Sequence, residues 1–144
     1  MAIYHIAYHG YRNKPSQEQF EAQVAMLNAA FAAAPYIEDG AAGRYQGHPA
    51  DGFDDAAWVK FADVESFAVH MRSPHGEDEA RHLKELVARV RAFDIITADE
   101  PAGTAEKVLG LYKERWELFP DVAKVLREDV DTHFRICERS VIGW

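Results

Sequence analysis

The chain has 144 residues, 48% hydrophobic and 28% charged, the balance of one folded domain with at most an appendage rather than of a disordered or fibrous chain. The 16 Lys and Arg against 24 Asp and Glu leave a net charge of −8, with the acidic residues spread along the chain, which argues against nucleic acid or an anionic membrane surface as the principal partner. A single cysteine, Cys137, can form no internal disulfide, no apolar run approaches the roughly 18 residues a bilayer span requires, and the opening Met1-Ala2-Ile3-Tyr4-His5 lacks the charged and apolar regions of a secretion signal. A soluble, cytoplasmic protein is expected.

Residues 3–9, Ile-Tyr-His-Ile-Ala-Tyr-His, are rich in β-branched and aromatic types and read as a strand, with Ile3, His5, Ala7 and His9 on one face and Tyr4, Ile6 and Tyr8 on the other. Ser16 and Gln19 stand at capping-box spacing before a helix whose apolar stripe is Phe20, Val24, Leu27, Phe31 and Ala34, closed by Pro35. A looser β segment is expected over 40–46, then an exposed loop at 47–52. The alternating stretch 55–61 reads as a third strand, with Ala57, Val59 and Phe61 opposed to Trp58 and Lys60. Asp63 caps a short helix bearing Val64, Phe67, His70 and Met71. Ser73-Pro74 then opens a longer one with Ala80, Leu83, Leu86, Val87 and Val90 as its stripe. Residues 92–97 make a fourth strand, completing a βαββαβ order with a split second helical region. After the break at 99–103, Thr104 caps a helix with Val108, Leu111, Tyr112 and Trp116. A further helical pattern runs through Val122, Leu126, Val130, Phe134 and Cys137, with 140–144 left open between helix and extended chain. A segment of about 40 residues builds little core alone, so residues 99–144 are expected to pack on the 1–98 domain or on a partner subunit.

The fold class predicted is α+β, a ferredoxin-like βαββαβ sheet with helices on one face, which by itself hosts unrelated chemistries. Residues 1–98 resemble the stress-responsive A/B barrel (Dabb) family, whose enzymatic members include the plant olivetolic acid cyclase. The resemblance rests on His5 in the opening strand, Gly52-Phe53 before the third strand, Phe61-Ala62-Asp63-Val64-Glu65, Ser73-Pro74-His75, and Phe93-Asp94 in the last strand. It implies a dimeric α+β barrel in which two sheets face each other, with a small apolar cavity between sheet and helices. It also implies a departure, because the cyclase's catalytic Tyr falls on His70, the first His of its His-Pro-X-His motif on Ser73, and its catalytic His on Gly76. Independently, a sheet with helices on one side leaves Tyr4, Ile6, Tyr8 and Trp58 in need of a cover, which either a second copy of the chain with two-fold symmetry or the C-terminal appendage folding back supplies.

His5, His70 and His75 form the best candidate acid/base cluster, since imidazole exchanges protons near neutral pH; each also has a plain structural reading. Tyr8, Tyr36 or Tyr45 offers a phenol to polarise a carbonyl, or packs with a hydrogen-bonded tip. Phe20, Val24, Leu27, Val59, Phe67 and Met71 are the expected walls of a substrate pocket under the first helix. Metal-ligand pairs fail on spacing: His5 and His9 in a strand lie about 13 Å apart, and His75 and His82 on a helix about 10 Å apart. An ion would need a site assembled from several elements, to which Asp94 and Glu65 are the acidic candidates, so neither metal nor cofactor is expected. No phosphate loop, zinc cysteine pair or nucleophile elbow is present, and Cys137 reads as a small buried hydrophobe. The expectation is therefore a cofactor-independent enzyme performing a cyclase or lyase-like step on a small, hydrophobic, carbonyl-containing substrate. The alternatives are a non-catalytic dimeric stress-responsive or ligand-binding protein, and a cofactor-free monooxygenase.

Overall fold

A computed structural model of the chain describes residues 2–133. Its elements in chain order are β1 (Ile3–Tyr11), α1 (Gln17–Ala33), β2 (Asp39–Arg44), β3 (Asp55–Phe61), α2 (Val64–Arg72), α3 (Glu79–Leu86), β4 (Val87–Ile96), α4 (Thr104–Leu118), α5 (Pro120–Glu128) and β5 (Asp131–His133). The sheet order is β2-β3-β1-β4-β5. β1 is antiparallel to both β3 and β4, so the first four strands make the ferredoxin-like arrangement and β5 adds a short parallel strand beside β4.

Local chemistry sets the boundaries. Ser16 and Gln19 form the reciprocal capping box of α1, Gln19 N–H donating to Ser16 Oγ and Ser16 N–H to Gln19 Oε1. Asp63 accepts from Ser66 N–H at the start of α2. Gly10 lies against the 48–54 loop, where a Cβ would stand 2.2 Å from the Gly52 carbonyl oxygen, so only glycine permits the loop to close on the end of β1.

One boundary differs from expectation. α3 ends at Leu86, and Val87 and Val90 belong to β4, which begins five residues earlier than the sequence suggested. The register shift between Gly10 and Tyr11 pairs Gly10 with Arg89 and Tyr11 with Val87, leaving Ala88 as an extra residue. That bulge turns both valines to the buried side at a spacing of three, which mimics a helical stripe. Likewise, α5 stops at Glu128 and the chain turns into β5, so Val130 is buried beyond the helix rather than on it. Phe134, Cys137 and residues 140–144 lie outside the described residues.

The helices cover the sheet face that carries Ile3, His5, Ala7 and His9. One buried cluster joins Ile3, Val59, Phe61, Phe67, Met71, Val108, Leu111 and Tyr112, and a second joins Val87, Val90, Val125 and Val130. Phe61 and Phe67, both fully buried, meet edge to face at 5.2 Å, each side chain stabilising the fold by about 1.5–3 kcal/mol through burial. α4 packs on α2 and contributes Val108, Leu111 and Tyr112 to the first cluster. On the opposite face Tyr8 touches Tyr45, Phe53 and Phe93, while Phe93 and Ile95 remain 46% and 47% exposed.

Candidate active site

The register of the central strand builds the site. On the helix-covered face, successive rungs of β1 pair Ile3 with Phe61 and Ile96, His5 with Val59 and Asp94, Ala7 with Ala57 and Ala92, and His9 with Asp55 and Val90. Each histidine therefore has a carboxylate directly across the ladder, His5 on β4 and His9 on β3.

His5 Nδ1–H donates to Asp94 Oδ1 at 2.8 Å. The Tyr112 hydroxyl, arriving from α4, donates to Asp94 Oδ2 at 2.7 Å and lies 3.2 Å from His5 Nδ1. An ionised carboxylate only accepts, so Nδ1 carries a proton, and in the neutral form of the ring Nε2 carries the lone pair. His9 repeats the pattern. Its Nδ1–H donates to Asp55 Oδ1 at 2.7 Å, and the Tyr11 hydroxyl donates to Asp55 Oδ2. Asp55 is 1% exposed, and its two partners offset the cost of holding a carboxylate out of water. Burial and that carboxylate push the Tyr11 phenol well above the ordinary tyrosine range.

His70, on the last turn of α2, packs 5.0 Å from Phe61, 5.9 Å from Tyr36 and 6.4 Å from His5, ring centre to ring centre. His75 stacks on it at 4.2 Å and donates from Nε2 to the His70 carbonyl oxygen at 3.2 Å. His70 Nδ1 is buried with no hydrogen-bond partner among the described residues. Loss of water, then the charges of His75, His5 and Arg115, hold His70 well below the ordinary histidine value of 6.5. His75 is also pulled down, by desolvation first and then by Arg115, against the opposing pull of the His70 carbonyl. Both rings are thus neutral hydrogen-bonding groups at neutral pH. The His5 ring differs from them in having a carboxylate at hydrogen-bond distance; Glu79 accepts from the His75 backbone N–H at 3.3 Å but stands 3.8 Å from its ring Nδ1.

Arg115 of α4 anchors the segment that carries His75. Buried to 2% exposure, its guanidinium donates to the carbonyls of Met71 and Ser73 at 2.9 and 2.7 Å and to both Glu79 oxygens at 3.2 and 3.1 Å.

These groups line a cavity of about 120 Å³ between β1, β4 and α2–α5, walled by His5, Ala7, His9, His70, His75 and Tyr112 among others. Side-chain exposures of 22% for His5, 25% for His9 and 34% for His75 show that it opens to solvent. The three candidate histidines are brought together in it. The expected walls are placed differently: Met71 lines this cavity, Val59 and Phe67 sit in the adjoining core, and Phe20, Val24 and Leu27 lie on α1, which packs over β2. The cavity lies under α2–α5 rather than under α1, and its wall is more polar than the sequence suggested, because α4 supplies Tyr112 and Arg115. Among the described residues no three His, Cys, Asp or Glu side chains are grouped as metal ligands would be.

Sequence reasoning treats His9 only as a failed metal ligand and Tyr112 as part of an apolar stripe, and it misses Glu79 and Arg115. The signal available for the two histidines was period two: antiparallel neighbours on β1 put His5 opposite Asp94 and His9 opposite Asp55.

This fold and site define a ferredoxin-like α+β protein with a histidine-lined cavity beneath its helices. Among solved structures, the chain is similar to a Dabb family protein with a ferredoxin-like fold from Mesorhizobium loti, at 11% identity and a TM-score of 0.52 over 67% of this chain and 96% of that one, and shares its ferredoxin-like fold. It is also similar to the hydroxynitrile lyase of Passiflora edulis, at 23% identity and a TM-score of 0.55 over 69% and 97% of the two chains. SnoaB, a cofactor-independent oxygenase from Streptomyces nogalater, matches at 16% identity and a TM-score of 0.51 over 70% and 97%. These likenesses establish a shared fold, and about three-tenths of the present chain has no counterpart in those structures. No protein-family model and no curated protein matches the sequence. No helix among the described residues is long and apolar enough to cross a membrane.

Proposed function

We propose that the chain is a cofactor-independent enzyme that moves a proton on a small carbonyl- or hydroxyl-bearing molecule, in a lyase-like step or a cyclisation, with His5 as its acid/base residue. The observation that carries this reading is the Tyr112–Asp94–His5 chain at the cavity wall. Asp94 holds the Nδ1 proton, Nε2 accepts a proton from the substrate, and the imidazolium charge that forms lies against a carboxylate already oriented by the Tyr112 hydroxyl. Neutral His70 hydrogen-bonds the substrate oxygen without competing for the proton, and His75, its Nε2 proton given to the His70 carbonyl, stacks on that ring and holds it in place. A cavity of about 120 Å³ that opens to solvent beside His5, His9 and His75 favours a small substrate that extends toward its mouth. Residues 99–144 act in this reading as part of the site, through Tyr112 and Arg115. The exposed face bearing Tyr8, Phe53, Phe93 and Ile95 closes on a second copy of the chain as a homodimer.

The test is turnover of a panel of small candidates, among them mandelonitrile, diacetone alcohol and a short linear diketone, by the parent protein and two variants. His5→Gln is expected to lower turnover about 10²–10⁴-fold, the usual contribution of a positioned acid or base. Tyr112→Phe is expected to lower it about 10-fold, with circular dichroism unchanged in both. Turnover by His5→Gln within about 3-fold of the parent would refute the assignment.

A further inference from the structure

The second histidine–carboxylate pair is not used by the chemistry assigned to His5, yet His9 lines the same cavity. Between the two pairs lies one rung of small side chains, Ala57–Ala7–Ala92, across three strands, so the cavity floor from His5 to His9 is low and apolar. With the Nδ1 proton held by Asp55, the neutral form of the His9 ring presents an acceptor lone pair at Nε2, and that nitrogen has no hydrogen bond among the described residues. An acceptor in that position recognises a donor.

Resting on the enzymatic reading of this cavity, we propose that His9 is a specificity residue selecting an elongated substrate that carries a hydroxyl at the end remote from the group on which His5 acts. Residues four apart on one strand face are about 13 Å apart. Subtracting a hydrogen-bond length of about 3 Å at each end leaves about 7 Å between the substrate's two polar atoms. A flat ring substituted at opposite positions matches both that span and the alanine floor, so the substrate class is a para-hydroxyphenyl carbonyl compound or a chain of equal reach. Tyr11 and Asp55 are positioning residues for His9. A purely structural His9 would serve only to neutralise buried Asp55 and would show no preference among ligands.

The experiment measures binding of benzaldehyde, para-hydroxybenzaldehyde and para-methoxybenzaldehyde to the parent and to His9→Asn, whose amide still donates to Asp55. Histidine proton–nitrogen correlation spectra are recorded alongside. The parent is expected to bind the hydroxy compound about 10-fold more tightly than the methoxy compound, the worth of one hydrogen bond of about 1.4 kcal/mol, with His9 Nε2 shifting only for the former. In His9→Asn the preference is expected to fall below about 2-fold. Equal affinity for the hydroxy and methoxy compounds in the parent, with His5 resonances shifting for all three, overturns the role of His9 and leaves that of His5 standing. A preference retained in His9→Asn overturns it too. Failure of every aldehyde to shift any cavity histidine overturns both.

Discussion

Arg115→Met tests whether α4 holds the site together. The change keeps the length of the apolar stem but removes a guanidinium whose carbon lies 4.7 Å from the centre of the Phe119 ring and 5.7 Å from that of Trp116, and which makes four hydrogen bonds to Met71, Ser73 and Glu79. Removing one partner of a buried ion pair costs about 3–5 kcal/mol. Glu79 keeps 16% of its side chain exposed and regains some hydration, while the two carbonyls lose their charge-assisted donor, so ~4 kcal/mol is expected. For a chain of this size that corresponds to a melting midpoint lower by about 12–16 °C. Urea unfolding of Arg115→Met, Glu79→Gln and the double variant makes a thermodynamic cycle, in which the double variant is expected to lose at least 2 kcal/mol less than the sum of the singles. A loss below about 1 kcal/mol in Arg115→Met, or strict additivity, would show that the anchor is not held by this pair.

His70 is held neutral in the folded chain below its unfolded value of 6.5, so the unfolded state binds the extra proton first; stability is fully present above about pH 6.5 and declines as pH falls, by up to about 1.4 kcal/mol per pH unit for this ring. His70→Phe should flatten urea-midpoint profiles below about pH 6.5, and an unchanged slope would assign the acid sensitivity elsewhere. On the open face of the sheet, Phe93→Glu should convert a particle of two 16.3 kDa chains into one in sedimentation, since burying a charge between two facing sheets is unfavourable; a parent that sediments as a single chain would remove the dimer.

Period two made β1 and β3 readable, and the capping box made α1 readable, because both are short-range patterns that the tertiary structure did not override. The start of β4 was hidden by a bulge, which places Val87 and Val90 on one side at a spacing that belongs to helices. His5, His70 and His75 were legible as a cluster from the types and places of their elements. The cavity's location was not, since it depends on which helices cover β1 and β4. Tyr112 and Arg115 carry chemistry only through contacts with residues far away in sequence, and no local pattern distinguishes a tyrosine packed in a core from one whose hydroxyl reaches a carboxylate.

The Tyr112–His5 contact joins positions 107 residues apart, with Asp94 between them in the chain. A nascent polypeptide emerging from the ribosome can complete its four-stranded sheet while the hydroxyl that steadies Asp94 has yet to be synthesised. The His5–Asp94 pair is thus finished by a helix made after the sheet, and a product terminated before α4 would carry that pair without its third member.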